Sequence, residues 1–407
     1  MYDAIIVGAR CAGSPTAMLL ARAGCRVLLV DRAKFPSDTL STHFVWPGGA
    51  ARLHSWGLLD AVRRSNCPPV TTISMDVGAF TLRGSPPPAA NGVREGFGPR
   101  RTVLDKMLLD AAAASGAEVR EEFAVQEILF EEECVSGIRG QARGGTAVTE
   151  QGRIVVGADG LHSMVARAVA AAEYNAQPPH ACWYYTYWEG LPMTGAELYL
   201  RPGRSFVAFP TNDGLTLVVV GWKHAEFPAF RAAIERNYLE TLDLAPAFAA
   251  RVAQSKRAER FYGTSDVPNL FRRPYGPGWA LVGDAGYHKD PVTAQGISDA
   301  FRDAEQLSRA ICDGLSGKRT FSDALADYER LRNEAVLPEY ESTCQRARME
   351  PPPPDVARLL EALRGNQPQI DRFFGTDAGT VPFADFFSEE NIGRIIGHAG
   401  AAGGSGG

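Results

Sequence analysis

The chain has 407 residues, 45% of them hydrophobic, enough for one large core or two domains. A net charge of −5 gives no basic field for nucleic acid, and no run of about 18 apolar residues offers a membrane span. Seven scattered cysteines without a C-x-x-C pair argue against a disulfide framework or a zinc site. They favour a reducing compartment, and with no charged and apolar leader at the start a cytoplasmic location is expected.

Tyr2 to Val7 reads as a short buried strand. Gly8-Ala9-Arg10-Cys11-Ala12-Gly13 follows, then a helical stretch to Ala23 and a second strand, Arg26 to Val30, ending at Asp31-Arg32. This is a βαβ dinucleotide pattern, with its acid about twenty residues after the first glycine. Gly8 permits the tight turn, Gly13 permits close helix–strand packing, and the helix N-terminus suits a pyrophosphate. Arg10 stands where the fingerprint has its middle glycine; its side chain turns outward or faces the phosphates.

Residues 34–49 read as a polar loop containing Ser37, Asp38, Thr42 and His43, followed by a helix from Ala50 to Arg64. Residues 68–85 read as alternating strands. Arg100-Arg101-Thr102-Val103-Leu104-Asp105 opens a helix that runs to Ala114 and stops at Gly116. A basic residue at a helix start opposes the macrodipole, and a nearby phosphate would explain it. Glu118 to Val125 reads as one strand, followed by a hairpin through Gly137 and Gly144-Gly145.

Ile154 to Val156 is a buried strand ending in Gly157-Ala158-Asp159-Gly160, with Ser163 as a helix-start residue. From Ala181 to Trp222 short strands dominate, with Asp213-Gly214 as a hairpin signal. Alternation puts Trp183, Tyr185 and Tyr187 on one face and Tyr184, Thr186 and Trp188 on the other. Helices are expected over Ala225 to Asn237 and Ala245 to Ala253.

The third landmark is Leu281 to Ile297. A strand from Trp279 ends at Gly283, and Asp284 follows at its carboxyl end, where α/β sheets bind ligands. Pro291 lies in the next loop, which leads to Gln295-Gly296, and a helix is expected from Ile297 to Ile311, with Gly314 as its stop. Its free N–H groups and partial positive charge suit a ring that becomes anionic on reduction. Helices over Phe321 to Met349 and Asp355 to Gly365 follow, separated by a proline break. Phe373 to Ile396 is aromatic-rich and either packs over a substrate side or forms a homodimer contact.

With these landmarks in order, residues 1–330 resemble the class A FAD-dependent monooxygenases, the p-hydroxybenzoate hydroxylase-like flavoproteins. The resemblance implies an α/β fold: a Rossmann-like FAD-binding domain with an inserted antiparallel-sheet substrate domain and C-terminal helices. The expected division is residues 1–70, 98–180 and 262–330 for the FAD domain and 71–97 and 181–261 for the substrate domain. Residues 331–398 form the C-terminal region and 399–407 a disordered tail.

By the same resemblance Gly8, Arg10, Gly13, Asp31 and Arg32 line the adenosine half of a tightly bound, non-covalent FAD. Arg101 reaches its phosphates, Val125 offers backbone to adenine, and Asp159 serves both FAD and a transient NAD(P)H donor. Asp284 holds the ribityl part, and Pro291, Gly296 and Ile297 line the isoalloxazine. The implied reaction uses O2 through a flavin C4a-hydroperoxide to hydroxylate or epoxidise a small aromatic or polycyclic organic substrate.

The resemblance extends to geranylgeranyl reductase-like enzymes, which reduce C=C bonds, and to flavin-dependent halogenases. Both carry aromatics five and three residues before a sheet proline. Here that proline matches Pro210, and the two positions are Ser205 and Val207. This weighs against halogenation, whereas Phe209-Pro210 and Gly221 keep the reductase reading. A flavin-binding protein without turnover is a further alternative. No catalytic side chain is assigned; His43, Tyr287, His288 and Lys289 are the candidates for assisting proton transfer.

Overall fold

The computed structural model describes residues 1–403, and residues 404–407 of the expected tail lie outside the described residues. Its organising element is a six-stranded sheet. Across the sheet the order is Tyr275–Gly276, Trp279–Leu281, Val155–Gly157, Ala4–Val7, Val27–Val30 and Glu118–Arg120. All neighbours are parallel except the edge pair Tyr275–Gly276 and Trp279–Leu281. The three central strands and Trp279–Leu281 are buried along their whole length, as their unbroken apolar sequences require.

Register carries the functional consequence. Val7 sits opposite both Val30 and Gly157, and Gly157 opposite Leu281. Four strands therefore end level, and the residues that follow them, Gly8, Asp31, Asp159 and Asp284, meet along one edge. Helices Gly13–Arg22, Arg101–Ala114 and Gly296–Leu315 pack together on one face of this sheet. A three-stranded antiparallel sheet, Phe123–Glu131, Cys134–Ala142 and Ala147–Gln151, covers the other.

The second sheet runs Lys256–Arg257, Ala181–Glu189, Leu215–Lys223, Arg204–Pro210, Ala196–Arg201, Ile73–Asp76 and Thr81–Gly84, with Tyr262–Thr264 beside Ala181–Glu189. The alternation expected of its long first strand is present. Tyr184 and Trp188 pack under the helices Phe227–Ala232, Ile234–Leu242 and Pro246–Val252. Trp183, Tyr185 and Tyr187 face the opposite way, toward the C-terminal helices Pro354–Ala362, Gln367–Asp377 and Phe383–Phe386. Phe373, Phe374 and Phe386 share a core with Trp183 and Phe209, so residues 373–396 pack on the sheet.

Several boundaries differ from the sequence reading. The strand expected over 118–125 is two: Glu118–Arg120 joins the parallel sheet, and the chain turns at Glu122 (φ 52°) to begin the three-stranded sheet at Phe123. The helix expected over 50–64 starts earlier, at Pro47, and breaks at Gly57 (φ 78°) into Pro47–Ser55 and Leu59–Arg64. The helix beginning at Gly296 runs through Gly314 to Leu315. Gly314 is a packing residue: a Cβ there would lie 2.6 Å from the Phe321 ring. The last helix is Glu389–Gly403, so part of the expected tail is helical. Among the described residues no helix is long and apolar enough to cross a membrane.

Candidate active site

The level strand ends open onto a crevice of about 850 Å³, and all but one of the twelve residues expected to touch the cofactor line it. The exception, Gly13, shapes it from behind. A Cβ on Gly13 would lie 1.7 Å from the Gly8 carbonyl oxygen, so the helix can approach the turn only as glycine. Gly8 has φ 103°, and a Cβ there would meet the Ala158 carbonyl oxygen at 2.4 Å. Asp31 ties the second strand to this turn: its Oδ2 accepts from the Ala9 N–H at 2.7 Å and its Oδ1 from the Ala33 N–H at 2.8 Å. Arg32 is exposed at the rim and Val125 lies on the wall.

Arg10 folds against the following loop. Its guanidinium stands over the Phe35 ring and donates to the Ser37 and Asp38 carbonyl oxygens and the Ser37 hydroxyl. It also pairs with Asp105 at 2.5 Å. Asp105 is fully buried and takes Arg101 at 2.9 Å and the Cys11 thiol at 3.2 Å as well. Two guanidiniums thus share this one carboxylate at the crevice wall. Asp105 also gives Arg101 the structural partner that the sequence reading lacked, one helical turn away.

Further along, the Asp159 Oδ2 accepts from the N–H groups of Met164 and Val165 at 2.7 and 3.3 Å and so anchors the helix that follows. Its Oδ1 is buried without a partner, and burial raises this carboxyl above the usual range despite those donors. Asp284 is exposed to the crevice. The helix at Gly296 has no side-chain cap, and a Cβ on Gly296 would meet nothing within 4 Å. The first-turn donors at this end therefore have no side-chain cap, and the space beside Gly296 is open. Exposed acid, unpartnered carboxyl oxygen, two arginines and an uncapped helix thus line one crevice.

A second cavity of about 880 Å³ lies between the second sheet and the C-terminal helices. Phe44, Trp46, Met75, Leu198, Phe209 and Phe373 are among its apolar walls, and Ser205 and Val207 also face it. Its arginines are already paired: Arg201 with Asp76 at 2.8 Å, Arg204 with Glu226 at 2.7 Å and Arg346 with Asp377 at 2.8 Å. Thr42, Trp183, Val219, Pro291 and Ala294 line both cavities, so the two meet there.

The candidate proton carriers fall in different places. His43 is fully buried behind this junction. Its Nε2 bonds the Tyr187 hydroxyl at 2.5 Å, and burial with the Arg101 and Arg100 charges pushes it down to about 3. Burial therefore favours its neutral form. Tyr287, His288 and Lys289 line the crevice. The buried Lys289 ammonium is held by Gln295 at 2.6 Å, Asp299 at 3.1 Å and Glu339 at 3.7 Å. Burial keeps the Tyr287 phenol far above its ordinary range, which makes it a poor acid. The sequence reading missed Asp105 and Asp290. The acid in R-x-x-L-D was a visible signal for the first; only the fold brings Asp290 to Trp183.

Residues 1–337 match the family model described as FAD binding domain. The chain belongs to this family, the class A flavoprotein monooxygenase-like FAD enzymes. It is similar to the digeranylgeranylglycerophospholipid reductase of Methanocella arvoryzae (strain DSM 22066 / NBRC 105507 / MRE50), 27% identical over 82% of this chain and 83% of that one. It is also similar to the 6-methylpretetramide 4-monooxygenase of Streptomyces rimosus, 28% identical over 82% of this chain and 81% of that one. In fold it resembles the myxobacterial chondrochloren halogenase, a FAD-dependent halogenase, with TM-score 0.78 and 22% identity over 98% and 96% of the two chains. The protein is an FAD-dependent oxidoreductase of a family acting on small molecules.

Proposed function

We propose that this flavoenzyme is an NAD(P)H- and O2-dependent monooxygenase that hydroxylates or epoxidises an uncharged aromatic or polycyclic molecule. The observation that carries the reading is the apolar cavity joined to the crevice at Pro291 and Ala294, in which each lining arginine is already paired. Such a chamber holds an apolar body and offers no free arginine to an anionic head.

In this reading Gly8, Gly13 and Asp31 hold the adenosine half of FAD, with Arg32 at its rim and the Val125 backbone beside adenine. Arg10 and Arg101 face the pyrophosphate, Asp159 and Asp284 take the sugar-like hydroxyls, and Pro291, Gly296 and Ile297 border the ring. Bound FAD supplies the redox chemistry, accepting hydride from NAD(P)H and passing electrons to O2. The chain's own contribution is to orient the substrate at the junction, exclude water with the aromatic walls, and direct the N–H groups at Gly296 toward the pyrimidine edge.

The reductase reading is supported by a different observation, the relatives named digeranylgeranylglycerophospholipid reductase at 27% identity. An apolar chamber also accepts a prenyl chain, but a phospholipid head finds no free arginine there. Anaerobic reduction by NADPH or NADH, followed by mixing with O2 and a panel of phenols and polycyclic aromatics, separates the two. A monooxygenase gives oxygenated product only after O2 is added, with or without halide. Saturation of a prenyl double bond without O2 would replace this reading with the reductase.

A further inference from the structure

We propose that Trp183 is the partition between the crevice and the apolar chamber and sets the size of substrate that reaches the junction, with Asp290 as the positioning residue that holds it. The inference rests on the chamber being the substrate site.

Of the three aromatics on this face of the strand Ala181–Glu189, Trp183 lines both cavities, Tyr185 lines the crevice alone and Tyr187 lines neither. The indole is held from several sides. It lies against Gly221, its cross-strand neighbour, where a Cβ would stand 2.4 Å from the indole Cζ3 and 2.7 Å from the Met349 methyl group. Only glycine leaves room for the ring there. The indole N–H donates to the Asp290 Oδ1 at 3.1 Å.

Asp290 is itself fixed. It is 1% exposed, its Oδ1 also accepts from the Val292 N–H at 3.0 Å, and its own N–H donates to the Asn269 side-chain oxygen at 2.7 Å. Its second carboxyl oxygen is buried without a partner, and the adjacent Lys289 is engaged by Gln295, Asp299 and Glu339. Burial pushes this carboxyl up to about 7, opposed by the Val292 and Trp183 donors. Asp290 is thus an acceptor on a clamp rather than half of an ion pair. An asparagine amide oxygen can do the same work.

The test uses the full-length, FAD-loaded protein and two neutral probes of different size, 2-naphthol and anthrone, titrated by the change in flavin absorbance without turnover. Trp183→Ala merges the cavities and should shift relative affinity toward anthrone by about tenfold, the scale of one lost large contact. Asp290→Ala frees the indole and should shift the ratio the same way by less. Asp290→Asn should leave it within about twofold of the parent. Trp183→Phe, a gentler change should the alanine variant fail to fold, loses the N–H donor and should resemble Asp290→Ala.

An unchanged ratio in Trp183→Ala, or in Trp183→Phe where only that variant folds, with parental FAD content would overturn the partition. Asp290→Asn shifting as far as Asp290→Ala would overturn the clamp. Failure of the parent to bind either probe would sink the chamber reading and the partition with it. The expected shifts in an enzyme that makes no oxygenated product would sink only the monooxygenase reading.

Discussion

At the scale of single residues, the proposed FAD site gives Asp284 and Gly296 separable roles. Asp284 is an exposed carboxylate at a strand end; Gly296 is bare backbone at the start of an uncapped helix. Asp284→Asn loses acceptor strength toward hydroxyls and should weaken FAD retention by about tenfold, with little change in potential. Gly296→Val puts a branched side chain into the space that the free N–H groups face. It should lower the two-electron potential by roughly 6–40 mV, from a helix-end contribution of about 0.3–2 kcal/mol to the reduced ring. Reduction by NAD(P)H should slow even with FAD saturating. Redox titration and stopped-flow reduction of both variants check this. An unchanged potential in Gly296→Val with FAD fully bound would mean that the helix does not face the pyrimidine ring.

At the scale of elements, the strands Ala196–Arg201 and Arg204–Pro210 supply most of the chamber's floor, while Ala181–Glu189 and Leu215–Lys223 bring Trp183 and Val219 to its junction with the crevice, and their register sets Trp183 against Gly221. The helices Ile234–Leu242 and Pro246–Val252 seal the far face, so this sheet cannot yield in that direction. Gly221→Ala must therefore displace the indole or Met349, the two groups within 2.7 Å of the new carbon. Overpacking of this kind costs about 1–3 kcal/mol. Urea unfolding should show a lower midpoint at unchanged slope. A variant as stable as the parent would show that the ring is not wedged there.

At the scale of the whole molecule, the FAD domain was the more legible part. Each of its defining strands is a short unbroken apolar run closed by a glycine, a carboxylate or both, so Gly8, Asp31, Asp159 and Asp284 each mark a strand and its end. What escaped the sequence depends on long separations. Arg10 meets Asp105 across 95 residues and Trp183 meets Asp290 across 107. The aromatic segment over 373–396 had two open readings because its partner surface, the chamber-side face of a sheet starting at Ile73, has no local signature. Misplaced boundaries at Gly57 and Gly314 have a local cause: glycine ends one helix by its positive φ and lies inside another to admit a ring.

These scales converge on one claim, that the crevice at the level strand ends is an FAD site which the second cavity meets. The most direct measurement is the flavin content of the purified chain. The purified chain should be yellow, release about one FAD per chain on heating and rebind it, as one site in the crevice requires. A colourless chain that fails to bind added FAD would contradict it.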